Sequence, residues 1–261
     1  MKSSSVRCPT ASSPPPDALR AMDTPPLPGQ PRRIIRLYKP ADRTAVRAIC
    51  ADTGFLGRPI DPVFEDRELF ADYLTAYYTD EEPESTCVCE LDGEVKGYVM
   101  GCRFPKRKTR YEARKLPGLV LRGLWRCFTR PYSAASRKYI WWILTQARRQ
   151  NPYTPPNIPH FHFNIRPEAR SVAATREMVD MFLDYLVRHG EKQVYAQVVS
   201  YESRRGVRMF ARYGFRVVDE REVTKYRDYY PEKIYLFTIL KDLTLNPALY
   251  GADLHHQPEA E

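Results

Sequence analysis

Residues 160–175 run His160-Phe161-His162-Phe163-Asn164-Ile165-Arg166-Pro167-Glu168-Ala169-Arg170-Ser171-Val172-Ala173-Ala174-Thr175. In the first six, Phe161, Phe163 and Ile165 alternate with His160, His162 and Asn164, the period-two pattern of a strand with one apolar and one polar face. Small residues after Pro167 lead into 176–189, where Met178, Val179, Phe182, Leu183, Leu186 and Val187 fall on one stripe of a helix that Gly190 ends. The first N–H groups of such a helix lack carbonyl partners and carry the positive end of its dipole, so an anionic pyrophosphate is stabilised in the turn before it. Strand, turn and helix in this order predict a phosphate-binding enzyme fold.

A second stretch, Ser203-Arg204-Arg205-Gly206-Val207-Arg208-Met209-Phe210-Ala211-Arg212-Tyr213-Gly214-Phe215, closes on Gly-Phe. Together the two stretches resemble the GNAT superfamily of N-acetyltransferases. In that family a strand ending in an apolar residue and Pro leads to Arg or Gln, two residues, Gly, one residue, then Gly or Ala. Ile165, Pro167, Arg170, Ala173 and Thr175 occupy those places. The second family motif runs Asn, two residues, Ala, then an apolar and aromatic stretch to Gly-Phe, and Ser203, Gly206, Phe210, Gly214 and Phe215 fall at those spacings. The resemblance implies an α/β (α+β) fold with a mixed, splayed central sheet, flanking helices, and acetyl-CoA as cosubstrate entering where the sheet opens. It implies backbone contacts to the carbonyl and pantetheine from Ile165 and Arg166. Arg170, Ser171, Val172, Ala173, Ala174 and Thr175 would surround the pyrophosphate, and Ser203 and Phe210 would complete the cofactor site.

Three departures bear on chemistry. Ala173 and Thr175 replace glycines whose missing side chains let the backbone approach the phosphates. The Thr175 hydroxyl is placed either to donate to a phosphate or to cap the helix. Phe210 stands where many family members carry a Tyr that protonates the departing thiolate, and it has no proton to give. Tyr213, Tyr226, Tyr229 and Tyr230 are the alternative donors.

N-acetylation requires a neutral amine, a proton acceptor and a group that polarises the carbonyl. His162, mid-strand on the polar face and with an ordinary pKa of about 6.5, is the candidate base. A hydrogen bond across the sheet is the competing role for it. Asn164 is placed to orient the acceptor or hold a water, and His160 lies nearer the strand's edge.

Around these motifs the patterning predicts a strand at 33–38, helices at 40–53 and 65–77, and strands at 86–91 and 94–103. Asp92-Gly93 between the last two is a hairpin signal. Later elements are strands at 160–165, 193–199, 214–223 and 233–241 and helices at 175–189 and 203–213. Residues 1–32, with eight prolines, read as a disordered tail, 33–243 as one domain, and 244–261 as a flexible tail in which His255 and His256 are solvated. Met22 is an alternative start to Met1. Cysteines 8, 50, 87, 89, 102 and 127 show no CxxC pair and no secreted framework, so reduced thiols, no metal site and a soluble cytoplasmic protein are expected. Nothing in the pattern indicates an oligomer.

Charge is concentrated in an insert at 104–159. Fourteen Lys or Arg lie between Arg103 and Arg149 against the single acid Glu112, so this segment carries +13 of a chain whose net charge is +9. Its apolar residues predict two amphipathic helices broken near Pro131. Three roles follow from that composition: a lid over the acceptor with its charges turned to solvent, contact with an anionic membrane surface, or contact with nucleic acid. A basic insert beside the acceptor favours anionic amines over polyamines and basic peptides. Two functions are therefore expected in competition. One is an acetyl-CoA-dependent N-acetyltransferase acting on an amine of a small molecule or protein. The other is a non-catalytic GNAT-like module that contacts a membrane or nucleic acid through the insert.

Overall fold

Strand pairing at one point, between His160–Ile165 and the strand that follows it in the sheet, organises the molecule. The computed structural model describes residues 22–24, 31–129, 131–202 and 205–245. In chain order the strands are β1 (Met22–Thr24), β2 (Arg33–Leu37), β3 (Thr86–Leu91), β4 (Glu94–Cys102), β5 (His160–Ile165), β6 (Gln193–Tyr201), β7 (Arg216–Glu222) and β8 (Ile234–Asp242). The helices are α1 (Arg43–Thr53), α2 (Arg67–Asp80), α3 (Pro105–Thr129), α4 (Ala134–Thr145), α5 (Ala147–Gln150), α6 (Val172–Arg188) and α7 (Arg205–Arg212). The strands form one mixed sheet in the order β1-β2-β3-β4-β5-β6-β8-β7. All pairs are antiparallel except β5 with β6.

Each element follows from local chemistry. Asp92 and Gly93 both take positive φ, 50° and 85°, as the tight turn joining β3 to β4 requires. Asp66 caps α2 by accepting a hydrogen bond from Leu69 N at 2.9 Å, and Ser133 caps α4 by accepting one from Ser136 N at 3.2 Å. Pro131 separates α3 from α4, as the insert's pattern predicts. Met22–Thr24, inside the segment expected to be disordered, pairs antiparallel with β2 instead. The alternation of β2 leaves an edge that another extended segment can satisfy. Residues 203, 204 and 246–261, including Ser203, His255 and His256, lie outside the described residues.

The sheet is buried on both faces. On one, α6 and α7 pack over Ile35, Cys87, Cys89, Val99, Phe161 and Phe237. On the other, α1, α2 and the insert pack over Val88, Tyr98, Met100 and Cys102. Cys50, Cys87, Cys89 and Cys102 are buried free thiols, and Cys127 is an exposed one. Cys87 and Cys89 pack beneath α6. No group of His, Cys, Asp and Glu among the described residues is placed to hold a metal ion.

The approach of α6 to β4 depends on Gly101, because a Cβ there would fall on the Phe182 ring. Gly101→Ala is expected to cost roughly 1–3 kcal/mol, the usual penalty for overpacking a closed core. A urea melt that kept the wild-type midpoint would show that Phe182 yields instead.

Candidate active site

β5 is fully paired with β4 along one edge, from Cys102↔His160 to Gly97↔Ile165. Along its other edge it pairs with β6 only at His160↔Tyr195 and Phe161↔Ala196. β6 continues to Tyr201 under the hold of β8. The two parallel strands therefore diverge after Phe161 and leave a wedge that opens toward their C-terminal ends. Backbone groups of β5 facing the wedge have no strand partner, and such groups bind a ligand or water.

At the open end, Pro167–Ala169 form a short 3-10 turn and α6 begins. Ser171 is its N-cap, its Oγ accepting from Ala174 N at 3.0 Å. The helix starts at Val172, three residues before the predicted start at 175, because Ala173 and Ala174 are good helix formers and neither Ala173 nor Thr175 is the glycine that would hold the loop open. Thr175 lies in the first turn, buried, and its hydroxyl donates to Ser171 O at 3.0 Å. It neither caps the helix nor points into the turn. The exposed residues Ser171, Val172 and Ala173 present the first N–H groups of α6 to the wedge's mouth.

The two arginines of the turn are held differently. Arg166 pairs with Asp52 of α1, which also holds Arg67. Arg170 is exposed, and its guanidinium folds back to donate to Ile165 O at 3.2 Å and Gly57 O at 3.4 Å. Phe210 lies fully buried beneath Phe163, with ring centroids 5.8 Å apart, and against Phe215 at 5.4 Å. It packs the floor under the wedge and does not line it.

The polar face of β5 looks toward α1, α2 and the insert. Asn164 Nδ2 donates to Tyr98 Oη at 2.7 Å, so Asn164 is held by the fully buried Tyr98. His160 Nε2 lies 3.3 Å from Tyr78 Oη. The His162 ring sits edge-on to Tyr78 and Tyr98, with centroids 4.9 and 5.8 Å away, and makes no hydrogen bond across the sheet. Its Nε2 is sealed from solvent with no partner. Burial, reinforced by the Lys108 charge, pushes His162 down to about 4 and His160 down to about 3. Both imidazoles are neutral at physiological pH. Burial raises Tyr78 and Tyr98 well above the usual phenol range, so both keep their protons.

On β6, Tyr201 stands on the face shared with His162. Its ring meets Tyr230 at 5.6 Å, and burial with the hydrogen bond to Tyr230 raises it to about 12. Of the other tyrosines considered as donors, Tyr226 Oη donates to Gly54 O at 3.4 Å and Tyr229 Oη to Pro62 O at 2.7 Å. Tyr213 packs under the Arg176 guanidinium. Sequence reasoning missed Tyr78 and Tyr98, the two side chains that enclose His162. The period-two alternation of β4 carries the signal for Tyr98, whereas Tyr78 is one of several aromatics on α2 with nothing to single it out.

In three dimensions the chain overlays on the crystal structure of SsHAT with a TM-score of 0.54 at 22% identity, covering 81% of this chain and 98% of that one. The chain has the GNAT fold. The structure of yncA from Salmonella typhimurium, solved with its cofactor acetyl-CoA, aligns at TM-score 0.48 and 16% identity over 87% of this chain and 98% of that one. A GCN5-related N-acetyltransferase from Kribbella flavida aligns at TM-score 0.48 and 14% identity over 80% and 97%. No family model matches the sequence, and no curated protein matches it. The expected fold is thus borne out by shape, at identities too low for sequence comparison to reach.

The buried histidines couple folding to acidity. Both folded-state values lie below that of an unfolded histidine, so the unfolded chain binds more protons from about pH 6.5 down to about pH 4 and stability falls as pH falls through that window. Each histidine contributes a loss of up to about 1.4 kcal/mol per pH unit there. Urea melts of wild type and His162→Phe near pH 7 and near pH 5 test this. The variant should lose less stability on acidification, and equal losses would rule out the buried neutral state of His162.

Proposed function

We propose that this chain is an acetyl-CoA-dependent N-acyltransferase that acetylates an amine by direct transfer. The observation that carries the reading is the wedge after Phe161, with the N-terminus of α6 at its mouth. An acyl-CoA fits the groups present: unpaired β5 backbone for an extended pantetheine, and the Val172 and Ala173 amides with Arg170 for a pyrophosphate. Arg170 would exchange its two long hydrogen bonds to backbone carbonyls for phosphate oxygens. When bound, the thioester supplies an activated acetyl group. Ser203, in the second motif, stays a candidate cofactor contact by resemblance alone.

His162 is the proton acceptor in this proposal. The imidazole is neutral at physiological pH and its Nε2 has no protein partner, so His162 would take a proton from the acceptor amine once the acceptor parts the packing that seals this atom from solvent. A base with a pKa of about 4 is weak, yet it needs no prior deprotonation, so the rate between pH 5 and 8 should follow the amine's own ionisation. Asn164, fixed by Tyr98, orients the acceptor. Tyr201 holds a proton on Oη at the open end of β6 and takes the donor role that Phe210 lacks. Lys108, whose Nζ lies 5.9 Å from the Tyr78 ring centre, places positive charge beside this face and favours an anionic amine.

Calorimetry with acetyl-CoA and a thiol-release assay over a panel of amines test the proposal. Binding and turnover are expected. Ala173→Glu, which sets a carboxylate at the exposed first turn of α6, should weaken acetyl-CoA by tenfold or more, about 1.4 kcal/mol or above. His162→Ala should lower kcat about 100-fold or more with little change in cofactor affinity. No heat and no thermal shift with acetyl-CoA would sink the proposal, and binding without turnover on any amine would favour the non-catalytic module. Turnover confined to cationic amines would overturn the acceptor preference.

A further inference from the structure

One half of α3 is built inside out. In the C-terminal half of α3 the charged side chains face the protein: Arg122 pairs with Asp72 of α2, and Arg126 with Asp66 at its cap. Gly123 lets the helix sit close, 3.5 Å from Leu69 to where a Cβ would be. The apolar residues face away. Leu121 is 70% exposed, Trp125 67% and Phe128 86%, and on α4 Trp141 is 67% and Leu144 75% exposed. A groove of about 310 Å³ between the two helices, with Cys127 from α3 and Trp141 and Leu144 from α4 among its lining, joins the two stripes into one surface. Most of the insert's charges turn to solvent, as expected, but Arg122 and Arg126 turn inward and leave the apolar stripe outside. A helix that spends its arginines on the body and presents Trp, Phe and Leu outward needs an apolar neighbour.

The surrounding charge says which neighbour. Lys106, Arg110 and Lys115 are exposed in the turns of α3 before the stripe, Arg137 lies beside the groove, and Arg148 and Arg149 follow in α5. None of the six forms an ion pair with a described residue, and the segment's single acid, Glu112, is taken by Lys108. A second copy would bring the same excess of positive charge against this face. Nucleic acid would meet the cations, but it has no use for exposed Leu121 and Leu144. Aromatic and aliphatic side chains rimmed by unpaired Lys and Arg match the acyl and headgroup layers of an anionic bilayer. No helix among the described residues is long and apolar enough to cross a membrane, which is consistent with lying in the interface plane. We propose that α3 and α4 form a peripheral docking surface for anionic lipid bilayers, with Trp125, Phe128 and Trp141 inserted below the headgroups. The surface also roofs the catalytic face, since Tyr111 and Tyr139 of the same helices pack in the core over β4. The docking proposal stands independently of the transferase proposal.

Sedimentation of the full chain with vesicles of phosphatidylcholine, alone and mixed with phosphatidylserine, tests it, with tryptophan fluorescence as a second readout. Expected are binding at least tenfold stronger to the mixed vesicles, weakening as salt is raised, and a blue-shifted emission quenched by lipids brominated in the acyl chain. Trp125→Glu with Trp141→Glu should lower vesicle binding about 100-fold while leaving the thermal melt and acetyl-CoA binding unchanged. Lys106→Glu with Arg110→Glu should remove the preference for phosphatidylserine while keeping the two tryptophans. The proposal is overturned if the folded wild-type chain does not sediment with phosphatidylserine vesicles. It is equally overturned by a concentration-dependent dimer that Trp125→Glu abolishes, by capture of an acidic protein that competes with vesicles at no salt cost, or by RNA binding that survives the double tryptophan change.

Discussion

Everything in this molecule is arranged around strand pairing that stops after two residues. β5 and β6 exchange partners only at His160↔Tyr195 and Phe161↔Ala196, yet neither strand is left loose, because β4 holds the outer edge of one and β8 the outer edge of the other. A parallel pair needs a crossover, and α6 supplies it. The crossover fixes the N-terminus of α6 at the open end of the wedge, where the strand partner is missing. Core packing sets the helix's position from its middle, through Phe182 over Gly101, while Ser171 sets where it begins.

The polar face of the wedge shows how a buried site tolerates titratable groups. Two imidazoles and two phenols are packed together, and burial drives each toward its uncharged form. Neutral groups avoid the large cost of an unpaired buried charge and still exchange protons. Charges sit one layer further out, on Lys108 with Glu112 and on Asp52 with its two arginines.

Much of this was legible in the residues. The alternation of 160–165, the Asp92-Gly93 turn and the stripe at 178–187 placed β5, the β3–β4 hairpin and α6 because each signal is local. The start of α6 lies three residues before its expected place because the family pattern has glycine at 173, where this chain carries an alanine that propagates the helix. Phe210 was assigned to the cofactor by its place in a motif, but only packing against Phe163 and Phe215 could reveal it as floor. The insert's orientation was beyond periodicity. A stripe of Leu, Trp and Phe marks one side of a helix without saying which side meets the protein, and that choice was made by Asp66 and Asp72, dozens of residues earlier in the chain.

Those two aspartates have a mechanical meaning. α3 is fastened to α2 by Arg122–Asp72, Arg126–Asp66 and the Arg107 and Arg114 contacts to Glu81, beside the buried packing of Tyr111 on Tyr77. Such a joint behaves as a clamp whose grip depends on the medium around it: dissolved ions loosen it, because they screen partly exposed pairs. A hydrophobic fastening would respond in the opposite way, tightening in salts that are excluded from the protein surface. The insert is therefore a part whose polar fastenings slacken as ionic strength rises.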